Sequence, residues 1–167
     1  MYPDLAGKKV AITGGASGIG LATASRFVQE DSRVALIDRD GAALERAGFE
    51  LPGVELLIEA DVSVPEAVES AFREIDARFD GVDILVSNAG ISVRSGFSDI
   101  TFEQWSNVLG INLNGMFLCA REAARRMSTG GVILMTASTN GMEAHPFYAD
   151  YNASKAGVIL LAKTMAL

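Results

Sequence analysis

Three residues late in the chain suit the movement of a proton at an alcohol or carbonyl oxygen. They are Tyr151 and Lys155, within Tyr151-Asn152-Ala153-Ser154-Lys155, and Ser138, thirteen residues before Tyr151. If this stretch is helical, as its Ala-rich continuation suggests, Tyr151 and Lys155 stand one turn apart on the same face. An ammonium fixed near a phenol favours the phenolate and brings a tyrosine into the range of acid-base chemistry. Tyr151 can then exchange a proton with an alcohol or carbonyl oxygen. A serine hydroxyl delivered from the end of another element can hydrogen-bond and polarise that same oxygen. The set suits carbonyl/alcohol redox chemistry. A Tyr and a Lys four apart on a helix also recur by chance, so the pair gains weight only from the elements around it.

Those elements begin with Lys9-Val10-Ala11-Ile12-Thr13, which reads as a buried strand running into Gly14-Gly15-Ala16-Ser17-Gly18-Ile19-Gly20. A helix should follow, with Ile19, Ala22, Phe27 and Val28 available for one face. Strand, glycine turn and helix make a phosphate cradle, because glycines let the backbone approach a pyrophosphate and the helix N-terminus supplies free amides. The spacing Gly14-x-x-x-Gly18-x-Gly20 departs from G-x-G-x-x-G. A second strand, Arg33 to Ile37, ends at Asp38, whose carboxylate can accept from adenosine ribose hydroxyls and repel a 2'-phosphate. That favours NAD over NADP, although Arg39 alongside could pair with a phosphate. Asp38 to Gly41 would also serve as a solvated turn.

Further strands are expected at Val54 to Ile58, Val82 to Val86 and Gly131 to Met135. Helices are expected from Pro65 to Phe79, within Phe102 to Met127, and from Asp150 onward, with Pro65 in a first turn. Repeated β-then-α units imply a parallel sheet with helices on both faces, whose ligands gather at the strand C-terminal ends. Gly14, Asp38, Asp61, Asn88 and Ser138 all fall at or just past such ends.

At 167 residues, 49% of them apolar, one domain with a hydrophobic core is expected. The formal net charge of -7 and the scattered basic residues argue against a nucleic-acid surface. The apolar runs are strand-sized or interrupted by charge, so no membrane partner and a cytoplasmic location are expected. The single cysteine, Cys119, reads as a small core residue, and with one histidine, His145, no metal site is expected.

The chain resembles the short-chain dehydrogenase/reductase family along almost its whole length. The motifs that carry the resemblance are Thr13 to Gly20, Asp61-Val62, Asn88-Ala89-Gly90, Ile111-Asn112-Leu113-Asn114-Gly115, Ser138 and Tyr151-x-x-x-Lys155. The resemblance implies one α/β domain over residues 1–167, a Rossmann-type doubly wound parallel sheet that binds NAD(P). It further implies hydride transfer between a nicotinamide and a carbonyl or alcohol carbon. By motif, Tyr151 would be the general acid/base and Ser138 would hold the substrate oxygen. Lys155 would lower the tyrosine pKa and bind the nicotinamide ribose, and Asn112 would support a water in the proton relay. Gly14, Ser17, Gly18, Ile19, Gly20 and Asp38 would line the cofactor, Asp61 and Val62 would flank the adenine, and Asn88, Ala89 and Gly90 would pass beneath the ribose. Family members continue past the Tyr-Lys helix with two more strands and a substrate-covering segment. The expectation here is therefore a sheet truncated at its C-terminal end. A homodimer or homotetramer is the implied intact form.

The leading expectation is an NAD-dependent oxidoreductase acting on a small secondary alcohol or ketone, with a sugar or polyol suggested by Glu143 and His145 between Ser138 and Tyr151. Arg94 keeps an anionic substrate open. The alternative is a catalytically incompetent nucleotide-binding or oligomer-forming fragment of such an enzyme.

Overall fold

The computed structural model describes residues 2–128 and 130–167. Five strands form one parallel sheet: β1 (Lys9–Thr13), β2 (Arg33–Asp38), β3 (Val54–Glu59), β4 (Ile84–Ser87) and β5 (Val132–Met135), in the spatial order β3-β2-β1-β4-β5. The order reverses between β1 and β4, which is where a doubly wound sheet opens a crevice beyond its strand ends. The central strands are buried on both faces: Val10, Ala11, Ile12, Val34, Ala35 and Leu36 are all fully shielded. This is why they read as unbroken apolar runs rather than alternating ones.

The helices are α1 (Gly18–Gln29), α2 (Gly41–Glu50), α3 (Pro65–Phe79), α4 (Phe102–Leu109), α5 (Met116–Ala124) and α6 (Ala149–Met165). On one face of the sheet α1 and α2 bury Ala24, Leu44 and Ala47 against Val10, Ile12, Val34 and Leu36. On the other, α3 presents Val68, Ala71, Phe72, Ile75 and Phe79, a stripe at helical spacing, against Ala11, Ala35, Leu85 and the α5 residues Cys119 and Ala123. Full burial of side chains such as Phe72 and Ile75 contributes about 2–3 kcal/mol each. Pro65 opens α3, and Asp80 in the left-handed region with φ 59° closes it. Burial pushes the Cys119 thiol up to about 12, in keeping with an inert core residue.

Three local expectations change. Of the proposed α1 face, Phe27 and Val28 pack against the core, but Ile19 is 69% exposed and Ala22 is also exposed, while Gly20 and Ala24 take the buried positions. Close packing of the helix start on the glycine turn favours the smaller side chains, and Ile19 is left facing the crevice. The helix expected within Phe102 to Met127 is interrupted by a π-helical turn at Gly110–Gly115, between α4 and α5. The strands β4 and β5 begin at Ile84 and Val132, two residues and one residue later than expected. Among the described residues, no helix is long and apolar enough to cross a membrane.

Candidate active site

A cleft of about 620 Å³ opens beyond the C-terminal ends of the strands. Gly14, Ser17, Gly18 and Ile19 line one wall, Asp38 and Arg39 the end of β2, and Asp61 and Val62 the segment after β3. Asn88, Ala89 and Gly90 form the part nearest β4, and Tyr151 and Lys155 reach in from α6. Gly20, Asn112 and Ser138 lie outside the lining.

The glycine turn is built by close approach. Gly14 has φ 61°, and a Cβ on it would meet the Ala89 Cα at 2.9 Å; a Cβ on Gly20 would lie 2.0 Å from the Gly14 carbonyl oxygen. Only glycine fits either place, so Gly20 acts by letting α1 start against the turn. The N-cap Ser17 makes no side-chain cap hydrogen bond, which leaves the first amides of α1 free for an anion at the cleft. Open space surrounds the Cβ direction of Gly18. These features fit a dinucleotide's pyrophosphate.

Asp38 sits at the tip of β2, where its Oδ2 accepts from Ala16 N at 3.2 Å and its Oδ1 from Asp40 N at 3.2 Å. Its carboxylate thus braces the glycine turn and keeps lone pairs for a ligand hydroxyl. Asp61 accepts from both Ser63 N at 2.8 Å and Ser63 Oγ at 2.7 Å. The Ser63 hydroxyl is the main cause that holds the Asp61 carboxyl below its usual range; partial burial opposes it, and Arg39 adds attraction. Asn88 ties three strand ends together. Its backbone N–H donates to Thr13 Oγ1 at 3.0 Å, its Nδ2 to Gly14 O at 3.3 Å, and its Oδ1 accepts from Thr136 Oγ1 at 3.1 Å.

On α6, Lys155 is only 2% exposed, and its Nζ donates to the Thr136 carbonyl at 2.6 Å and stands 5.6 Å from the Tyr151 ring centroid. Burial pushes its ammonium below the usual lysine value. Asn112, in the π-helical turn and fully buried, accepts from Ile91 N at 2.8 Å and donates to Ile91 O at 2.9 Å and Ser154 Oγ at 3.1 Å. It thereby pins the loop after β4 to α6. A Cβ on Gly90 would lie 3.3 Å from Asn112 Oδ1 and 3.7 Å from Lys155 Nζ, so the three residues form one packed corner.

Ser138 caps a short 3-10 turn, Thr139–Gly141, that rests on α6, and its hydroxyl bonds Asn140. Several residues at the site carried no signal in the sequence reading. Asp150, fully buried at the start of α6, accepts from Tyr151 N at 2.8 Å and from Gln104 Nε2 at 2.8 Å. A carboxylate at a helix N-terminus is electrostatically favourable, but its Gln104 partner lies 46 positions away. Arg46 enters the cleft from α2, whose capping by Asp40 through Ala43 N at 2.9 Å could have marked that helix. Among the described residues, no group of three or more His, Cys, Asp or Glu could hold a metal ion.

A family model for short chain dehydrogenases matches residues 8–167. The chain belongs to the short-chain dehydrogenase family. Members of this family that resemble it include 3beta-hydroxysteroid dehydrogenase 1 of Eggerthella lenta, 41% identical over all of this chain and 67% of that protein. The NADP-dependent (R)-specific alcohol dehydrogenase of Lentilactobacillus kefiri is 34% identical over all of this chain and 68% of its own length. Among solved structures, an NAD+-bound xylitol dehydrogenase superposes with a TM-score of 0.93 at 34% identity, covering 97% of this chain and 65% of that one. A short chain dehydrogenase/reductase from Burkholderia phymatum in complex with NAD gives a TM-score of 0.93 at 30% identity, with 99% and 60% covered. The chain thus spans about two thirds of the length of these short-chain dehydrogenases. The family's oxidoreductases use nicotinamide cofactors and act on small molecules.

Proposed function

We propose that this protein moves a hydride between NAD(H) and a secondary alcohol or ketone, with Tyr151 as the general acid/base. The observation that carries the reading is the joint presence of Tyr151 and Lys155 in the same cleft as the uncapped, glycine-built start of α1. Held along Gly14, Ser17, Gly18 and Ile19, a bound NAD(H) would supply the hydride acceptor for the carbinol carbon or the hydride donor for the carbonyl carbon.

The chain's own residues handle the proton and the geometry. Tyr151 receives the hydroxyl proton of the alcohol during oxidation and returns it during reduction. The Lys155 ammonium, 5.6 Å from the ring centroid, would supply positive charge near the Tyr151 side chain. The Lys155 hydrogen bond to Thr136 O prevents that charge from swinging away. Ser138 holds the substrate oxygen. Asn112 keeps Ile91 and Ser154 in register, and both Nδ2 hydrogens are committed there, so a relay water would use its remaining Oδ1 lone pair or its main chain.

Asp38 would accept from the adenosine ribose, with Gly14, Ser17, Gly18 and Ile19 along the phosphates and Asp61 and Val62 at the adenine. Asp38 supports NAD over NADP, whereas Arg39 and Arg46 in the same cleft would tolerate a phosphate. The preference expected is therefore one of degree. A polyol or sugar suits the polar loop carrying Glu143 and His145. The reading also expects a cytoplasmic homo-oligomer, for which the exposed Phe102 and Phe117 offer contact surface.

A second reading, a nucleotide-binding module without turnover, draws on the position of Ser138 outside the cleft lining. Absorbance at the NADH band after adding NAD and a secondary alcohol separates the two. Growth of the band supports the dehydrogenase, and saturable NADH binding without turnover supports the module.

A further inference from the structure

The turn after β5 is fastened to α6 by a run of side-chain amides whose direction is set at one end. The carbonyl oxygen of His145 has no proton and can only accept, and Asn152 Nδ2 donates to it at 2.8 Å. The Asn152 oxygen must therefore face the other way, where it accepts from Asn140 Nδ2 at 2.8 Å. Asn140 in turn presents its own oxygen to Ser138 at 3.3 Å. An amide oxygen carries no hydrogen, so the Ser138 hydroxyl supplies it. The backbone N–H of Asn140 donates back to the same Oγ at 3.2 Å. A Cβ on Gly141 would lie 2.6 Å from the Lys155 backbone carbonyl carbon, so the whole turn lies flat on the helix.

We propose that Asn140 and Asn152 are positioning residues that preset the Ser138 hydroxyl as a hydrogen-bond acceptor, so that the resting site is matched to an alcohol rather than a ketone. This rests on the reading of Ser138 as the residue that holds the substrate oxygen. With its hydrogen aimed at Asn140 and one lone pair taken by the Asn140 N–H, Ser138 Oγ keeps one lone pair for an incoming O–H. An alcohol brings that hydrogen. A ketone does not, and needs the hydroxyl to turn away from Asn140 and donate. The bond to be given up is long, so reduction stays open, but alcohol affinity gains over ketone affinity.

The test compares KM for a secondary alcohol with NAD and KM for the matching ketone with NADH. The probe pair is whichever of 2-butanol, a pentitol or a 3β-hydroxysteroid turns over fastest. Asn140→Ala raises the alcohol KM about 3- to 10-fold and leaves or lowers the ketone KM, with the melting temperature and NADH affinity unchanged. Asn152→Asp loses the bond to the His145 carbonyl, but its carboxylate still accepts from Asn140 Nδ2. It so keeps the Asn140 oxygen toward Ser138 and the wild-type ratio, while Asn152→Leu shifts it as Asn140→Ala does. Equal changes in both KM values, or none, overturn the relay and leave the dehydrogenase reading standing. Hydrogen exchange of the Asn140 side-chain amide in the free protein gives an arm that needs no turnover. Slow exchange in the wild type that is released in Asn152→Leu supports the relay, and fast exchange in both overturns it. Absence of NAD reduction by the wild type with all three alcohols overturns the function reading, and this inference with it.

Discussion

Lys155 Nζ lies 5.6 Å from the centre of the Tyr151 ring, one helical turn away, and is anchored at 2.6 Å on the carbonyl oxygen of Thr136. The anchor comes from the segment that follows β5, so the charge beside the phenol is set by the sheet as well as by the helix. A lysine free to sweep through solvent would not hold this position, and removal of the side chain should be felt in rate and in stability.

Replacing Lys155 by Met should lower kcat by about 100-fold, the lower range for acid-base assistance. Stability supplies a second readout with a defined sign. Burial places the folded value below the ordinary 10.5. Between the two, the unfolded chain binds the proton and the folded chain does not, so stability rises with pH across that window. Below the folded value, the cost of the buried ammonium is constant. Urea unfolding from pH 7 to 10 should show the wild type gaining on Lys155→Met as pH rises. A difference independent of pH would contradict the burial effect.

Asp38→Ala should weaken NADH binding and narrow the NADH/NADPH ratio by about 10-fold, since a charged acceptor is lost. Energy transfer from Trp105 to the bound nicotinamide would follow both titrations. An unaltered ratio would assign cofactor choice to Arg39 and Arg46 instead. Because Asp38 also accepts from Ala16 N, some loss for both cofactors is expected.

Gly20→Ala should abolish cofactor binding and lower the melting temperature. The new methyl would sit 2.0 Å from the Gly14 carbonyl oxygen, an approach that backbone atoms cannot relieve without parting the helix from the turn. Retained NADH affinity in this variant would show that the turn does not depend on the packing described.

Asn112→Ala should destabilise the protein by about 2 kcal/mol or more, because the N–H and C=O of Ile91 lose their partner in a packed corner. Denaturant melts would measure it. A change under about 0.5 kcal/mol would mean that water replaces the amide there.

Much of the architecture was legible because it rests on local pattern. Apolar runs ending at Thr13, Asp38 and Ser87 are buried on both faces, and such strands announce themselves without reference to partners. The glycine turn and the Tyr151–Lys155 spacing are likewise contained within a few residues. What the sequence hid depends on pairings across the fold. Gln104 meets Asp150, and Asn112 meets Ile91, only after the sheet has brought their elements together. The π-helical turn was hidden as well, since Ile111 and Met116 keep an apolar pattern that an unbroken helix would also show. For Ile19 it was the apolar periodicity alone that misled: the side chain is exposed in the cleft, where the glycine-turn motif also put it, and not in the core.

The most direct test is NAD reduction by a panel of secondary alcohols and polyols, run in parallel on the wild type and on Tyr151→Phe with NADH affinity measured for each. Turnover in the wild type, reduced at least about 100-fold in Tyr151→Phe with NADH affinity nearly intact, is the predicted result. Equal turnover in the two proteins would contradict the assignment of the proton to Tyr151, and NADH binding without turnover in either would leave a nucleotide-binding module in place of a dehydrogenase.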